Sequence, residues 1–163
     1  MTATEIKTSH GIFIATFSER GLAQLDFPRS RNLRRSNGND VSKPKNLRAW
    51  QTATAEALKQ SLAGRTPKAL PPLDLTSGQE FQRRVWSALQ TISTGKTRSY
   101  SEVAATIGKP KAARAVGSAC GANPIPVLIP CHRVLAANKK IGGFSGGLDW
   151  KRALLEREGI SLA

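Results

Sequence analysis

Between Ile12 and Phe17 the side chains alternate strictly. Ile12, Ile14 and Thr16 fall on one face of an extended chain, and Phe13, Ala15 and Phe17 fall on the other. Within "IKTSHGIFIATFSERGLAQLDF" this period of two predicts strands, with "SERG" as a turn before a second run at Leu22–Phe27. The period then changes. Leu47, Trp50, Leu58 and Leu62 share one helical face, with Thr54 the single polar residue in that row, so a helix is expected to end near Gly64. Between these patterns, residues 28–45 are polar, basic and aperiodic, which predicts a loop or an unstructured insertion. Residues 65–78 carry three prolines and no helical period. They read as an extended linker, dividing an N-terminal unit at 1–64 from a C-terminal unit at 79–163.

From Ser77 onward the pattern becomes a series of short helices. Ser77 and Glu80 have capping-box spacing ahead of Phe81, Val85 and Leu89. Ser99 and Glu102 repeat that spacing ahead of "YSEVAATIG", where Gly108 marks a stop. Pro110 suits the first turn of a further helix, "PKAARAVGSAC". Two short helices joined by a glycine-containing turn predict a helix-turn-helix. A last helix, "DWKRALLEREG", has Asp149 near its N-cap and Gly159 at C′. The fold class expected is α/β in the N-terminal unit, a small sheet plus a helix, followed by a mostly α C-terminal domain.

Charge narrows the partner. The 163 residues carry 25 Lys and Arg against 11 Asp and Glu, a net charge of +14 shared by both halves of the chain. An excess spread this evenly points to a polyanion, nucleic acid ahead of an acidic membrane surface. The second helix of the pair offers Ala112, Ala113, Ala115, Gly117, Ser118 and Ala119, with Arg114 the one long side chain in its middle. Small residues suit close backbone approach to a groove with little reading of sequence, and Arg114 is placed to enter the base stack or to contact phosphate. Two cysteines and two histidines without ligand spacing predict no metal. No apolar signal core and no spanning run is present, so an intracellular, cytoplasmic protein off the membrane is expected, with its thiols reduced. A Cys120–Cys131 disulfide stays open in principle.

The candidate chemistry lies in "IPCHRVLAANKKIGGFSGG" (129–147), where Cys131 adjoins His132. A histidine is the usual means of activating a thiol. On a regular strand the two side chains would point to opposite faces, so the pair works only if the backbone bends there or if a water links them. Glu156 and Glu158 are both candidates to orient the imidazole. Tyr100, the one tyrosine of the chain, is a candidate proton donor or phosphate contact.

"IPCHRV" (129–134) resembles the active-site motif of the O6-alkylguanine-DNA alkyltransferases. The likeness extends through "FQRRVWSAL", "SYSEVAATIGKPKAARAVGSACGANPIPVLIPCHRV" and "GGFSGGLDWKRALLEREG", about half the chain, in matching order and spacing. The first 78 residues match loosely, as the variable N-terminal domain of ribonuclease-H type that these proteins carry. The resemblance implies a DNA repair protein that flips O6-alkylguanine, chiefly O6-methylguanine, out of duplex DNA. It then moves the alkyl group irreversibly to Cys131, once per molecule and without a cofactor.

On the same ground His132 is the base acting through a water, Glu158 the carboxylate that orients it, and Asn123 the hinge residue supporting the active-site turn. Tyr100 displaces the 3′ phosphate and donates a hydrogen bond to the departing guanine, and Arg114 fills the stack. Lys111, Ala113 and Ser118 share the DNA face. Pro126, Val134, Phe144 and Ser145 line the substrate pocket, and Arg133 has a structural role. Phe144 stands where some members have tyrosine, and the zinc ligands of some members are absent. The resemblance further implies binding in the minor groove with little sequence specificity, by a monomer associated with the nucleoid. Its rivals are a lesion-binding sensor of the same fold without transfer, a Cys–His hydrolase and a helix-turn-helix transcription factor. The presence of Cys131 argues against the sensor.

Overall fold

The computed structural model describes residues 1–28 and 43–162. Most of the expected 28–45 loop therefore lies outside the described residues. The chain opens with three antiparallel strands, β1 (Thr2–Thr8), β2 (Gly11–Ser18) and β3 (Gly21–Asp26), in the order β1-β2-β3. The face predicted from alternation is the buried one: Phe13, Ala15 and Phe17 are fully buried, while Ile12 stays exposed. Strand β1 has no such signal, since Ile6 is its one buried residue. Pairing of Ile6 with Phe13 fixes its register. Helix α1 (Leu47–Leu62) packs on the sheet. Thr54, the polar residue in its apolar row, is fully buried and donates its hydroxyl to the Trp50 carbonyl at 2.7 Å. A short hydroxyl tolerates the core because the helix supplies its acceptor.

The proline-rich stretch after α1 is extended, but it is pinned along its length. Leu22 N–H donates to Pro72 O at 2.8 Å and Asp74 N–H to Leu22 O at 2.7 Å, so residues 72–74 run beside β3. Beyond it stand α2 (Glu80–Leu89), α3 (Tyr100–Thr106), α4 (Ala113–Gly121) and α5 (Leu148–Arg157). Helices α2, α3 and α4 pack on one another, and buried Trp86 of α2 donates its indole N–H to Ala119 O of α4 at 2.8 Å. One apolar cluster runs from Phe13 and Phe17 of the sheet through Trp86 to Ile129 and Leu154.

The Ser99–Glu102 capping box forms as expected. Two other terminus assignments need correction. The box at α2 is formed by Gln79 and Gln82, not Ser77 and Glu80; Gln79 N–H donates to Gln82 Oε1 at 2.9 Å. Helix α4 begins at Ala113, not at Pro110. Pro110 instead occupies the second position of a turn closed by Ala112 N–H on Lys109 O at 2.9 Å, where its fixed φ is equally at home. Asp149 lies near the α5 N-cap as expected: Gly147 is the cap, and Asp149 stands in the first turn, where a negative charge suits the helix dipole.

Candidate active site around Cys131

Pro124, Pro126 and Pro130 around the apolar "VLI" predict a buried extended segment ending at the thiol; the chain there is instead tightly wound. Asn123 follows α4 and is buried. Its carboxamide accepts from Ile125 N–H and donates from Nδ2 to Ile129 O, both at 2.9 Å. Ile129 N–H closes back on Ile125 O at 2.9 Å. Inside this loop Val127 has φ +74°, a left-handed conformation that is unusual for a β-branched residue and costs about 1–3 kcal/mol. The Asn123 bonds and the burial of Val127 hold it there. Pro130 then makes an inverse γ-turn, with Cys131 N–H on Ile129 O at 2.8 Å, and Cys131–Arg133 form one 3-10 turn. This supplies the backbone bend that the adjacent Cys–His pair requires.

Cys131 and His132 are both buried, at 4% and 1% exposure. Both cysteines are free thiols, so no disulfide joins Cys120 to Cys131. Of the two candidate carboxylates, Glu158 at the end of α5 is the one in reach, and Glu156 is exposed. Glu158 Oε1 lies 3.1 Å from His132 Nε2, and Arg133 donates to the same carboxylate from Nε and Nη2 at 2.8–3.1 Å. Arg133 also reaches Ile92 O and Thr94 Oγ1, which gives its expected structural role a physical basis. These bonds hold the Glu158 pKa down to about 2, against the opposing cost of burial. An ionised carboxylate can only accept, so Nε2 carries the imidazole proton. His132 Nδ1 is then the free base. Among the described residues it is also the buried side-chain polar atom left without a partner.

Electrostatics set the resting state. Burial pushes the Cys131 thiol pKa up, opposed by a hydrogen bond from Asn123 and by the Lys151 ammonium. Burial lowers the His132 pKa, opposed by Glu158. A neutral thiol beside a neutral imidazole follows.

Lys151, which sequence reasoning missed, is fully buried. Its Nζ donates to Val134 O at 2.7 Å and Gly143 O at 3.0 Å. Burial brings its pKa down to about 8, opposed by Cys131 and Cys120. The signal was available, because Lys151 shares a helical row with Leu154, Leu155 and Glu158.

Tyr100, at the first position of α3, reaches the same loop. A backbone hydrogen bond joins its phenol to Gly143, and burial raises its pKa. A Cβ on Gly142 (φ +69°) would stand 2.9 Å from Tyr100 Oη, so the loop can approach the phenol only with glycine there. Ser145 and Pro126 border a cleft of about 590 Å3 together with Leu25, Phe27 and Trp150. Val134 and Phe144 do not line that cleft: Val134 is in the core, and Phe144 packs its ring on Phe27. Arg114 and Ser118 are exposed one turn apart on α4, opposite buried Val116, Ala119 and Cys120. Lys111 is exposed before the helix, and Ala113 is half-buried at its start.

Residues 80–160 match the family model described as 6-O-methylguanine DNA methyltransferase, DNA binding domain. A Methanosarcina barkeri protein named methylated-DNA–protein-cysteine methyltransferase is 37% identical, with 94% of each chain covered. The chain belongs to the methylated-DNA–protein-cysteine methyltransferase family. A Mycolicibacterium paratuberculosis member of the same name is 54% identical over 69% of this chain and 67% of that one. A Mycobacterium bovis member is 50% identical, and the match spans 64% of its length. The crystal structure of Mycobacterium tuberculosis OGT in complex with DNA superimposes with a TM-score of 0.77 at 39% identity, covering 94% of this chain and 90% of that one. In this methyltransferase-family chain the stretch that carries Cys131, His132 and Glu158 lies wholly inside the matched domain. No described helix is long and apolar enough to cross a membrane.

Proposed function

We propose that this protein repairs DNA by taking the alkyl group of O6-alkylguanine onto Cys131, once per molecule. The observation that carries the reading is the buried series Glu158–His132–Cys131, in which a carboxylate fixes the imidazole tautomer and leaves Nδ1 free next to the thiol's own turn. The Cys131 proton passes through a water to His132 Nδ1. The sulfur then attacks the alkyl carbon as the carbon–oxygen bond breaks, and the electron pair leaves with guanine O6. Tyr100 donates a hydrogen bond to the departing base, which eases its exit. The thioether product is not reversed by thiol exchange or by proton transfer, so the molecule is spent.

Access requires the base to leave the stack, at a cost of a few kcal/mol. The +14 charge offsets this through phosphate contacts. In this reading α3 and α4 act as a helix-turn-helix set against the minor groove, with Lys111, Ala113 and Ser118 along the backbone and Arg114 filling the gap in the stack. Asn123 holds the active-site turn. Pro126 and Ser145 wall the pocket, with Phe144 packed on Phe27 beside it and Val134 in the core. The protein acts as a monomer with little sequence preference, in the cytoplasm on the nucleoid. Its N-terminal unit, 1–64, is of ribonuclease-H type, and 65–78 joins it to the alkyltransferase unit at 79–163.

The test is the fate of the lesion. After incubation with a stoichiometric amount of protein, recovered duplex DNA contains unmodified guanine in an amount equal to the protein added. Tight binding with the lesion still alkylated would instead identify a sensor.

A further inference from the structure

Phe27 belongs to the N-terminal sheet by sequence, yet it touches the loop that carries Ser145. Its ring meets Phe144 edge-on at 5.7 Å, Trp150 of α5 at 5.0 Å and Phe13 of β2 at 5.5 Å. Gly146 lies directly on it, so that a Cβ there would fall 2.5 Å from Phe27 Cε2. The strand that leads into Phe27 is tied as well. Leu25 N–H donates to Pro124 O at 2.9 Å, tying the end of β3 to the active-site turn beside Pro126. Phe27, Pro126, Ser145 and Gly146 border the same cleft.

We propose that Phe27 is a positioning residue that sets the width of the alkyl pocket, so that the N-terminal sheet takes part in selecting the O6 substituent. The inference rests on the alkyltransferase reading. The cleft is bordered by Asn123, Pro124 and Pro126 of the active-site turn and by Ser145 and Gly146 of the later loop; Phe27 packs on that loop, and Leu25, two residues before it, is bonded to the turn. With the ring in place, the loop at Ser145 and Gly146 is held against Phe27. Without it, the Phe144–Gly146 loop loses its support on that side, and discrimination between small and large substituents falls.

The experiment compares single-turnover transfer from duplexes carrying O6-methylguanine or O6-benzylguanine, using the full chain. Phe27→Ala is expected to raise the benzyl-to-methyl rate ratio at least tenfold, and Phe27→Tyr, which keeps the ring, to restore it. Should Phe27→Ala fail to fold, Phe27→Leu serves, with a smaller rise expected. Phe17→Leu is the stability control. Phe17 stacks on Trp50 of α1, on the same buried face of β2 as Phe13 but four residues along the strand and outside the cleft lining, so this variant lowers the melting temperature without moving the ratio. A ratio within twofold of wild type in Phe27→Ala or Phe27→Leu, with both rates falling together as in Phe17→Leu, overturns the proposal. Wild-type transfer in the same assay keeps the two readings apart: if it is present while the ratio is unmoved, only the role of Phe27 is lost.

Discussion

Glu158 and His132 meet with Oε1 and Nε2 at 3.1 Å, between the C-cap of α5 and the 3-10 turn that holds the thiol. A carboxylate at a helix C-terminus faces the negative end of the dipole, and burial adds to its cost. Two side chains offset both penalties: Arg133, which donates from two nitrogens, and His132. The arrangement therefore serves stability and chemistry together.

Glu158→Gln separates them. The amide leaves Arg133 with an uncompensated buried charge and, because it can donate as well as accept, no longer dictates the imidazole tautomer. The expected outcome is a loss of about 3–5 kcal/mol in denaturant unfolding, with transfer lowered by about 100-fold. The acid limb tells the cause. Glu158 is depressed to about 2, so its contribution is complete above the unfolded value of 4.5 and is lost as pH falls toward 2. Wild type loses stability across that window relative to the variant.

The pH profile of transfer tests His132. Its pKa lies below the ordinary 6.5, so the free base persists on acidification. The rate constant is expected to stay level from neutrality down through pH 6.5 and to fall only at lower pH. A decline already centred at or above 6.5 would contradict a buried neutral imidazole.

Lys151→Met removes a group whose pKa is about 8 in the folded protein against 10.5 unfolded. Between those values the unfolded chain binds more protons, so Lys151 makes stability rise with pH across the window. The difference in unfolding free energy between wild type and Lys151→Met should grow in favour of wild type from pH 8 to 10.5. Transfer should slow as well, since Gly143 loses its link to the ammonium while Tyr100 still contacts that loop.

Arg114→Ala tests extrusion of the base. The side chain is exposed on α4 and holds no part of the core. Transfer from duplex DNA is expected to fall at least tenfold with melting temperature unchanged. Reaction with an O6-alkylguanine free base, which needs no flipping, should stay at the wild-type rate.

Much of this architecture is readable from local pattern. The Ser99–Glu102 cap, the Leu58–Leu62 row and the Phe13–Phe17 alternation each rest on interactions within a few residues, and each forms. The failures lie where long-range contacts decide. Strand β1 is an edge strand with little apolar content and is defined by its partner. Val127 adopts a left-handed conformation inside the loop that Asn123 closes through Ile125 and Ile129, a side-chain effect that no β-propensity scale anticipates. Lys151 reads as a solvated lysine until Val134 and Gly143 turn their carbonyls toward it. At the site, the motif residues Cys131, His132 and Glu158 come together as the family resemblance implies. Phe27 lies about a hundred residues from that motif, and only the fold brings it there.

The most direct measurement is the intact mass of the protein after incubation with duplex DNA containing O6-methylguanine, followed by peptide mapping. One added methyl per molecule, on the peptide holding Cys131 and absent in Cys131→Ser, is the predicted result. An unchanged mass in protein that binds the lesion tightly, or a methyl group that appears equally in Cys131→Ser, would contradict the account.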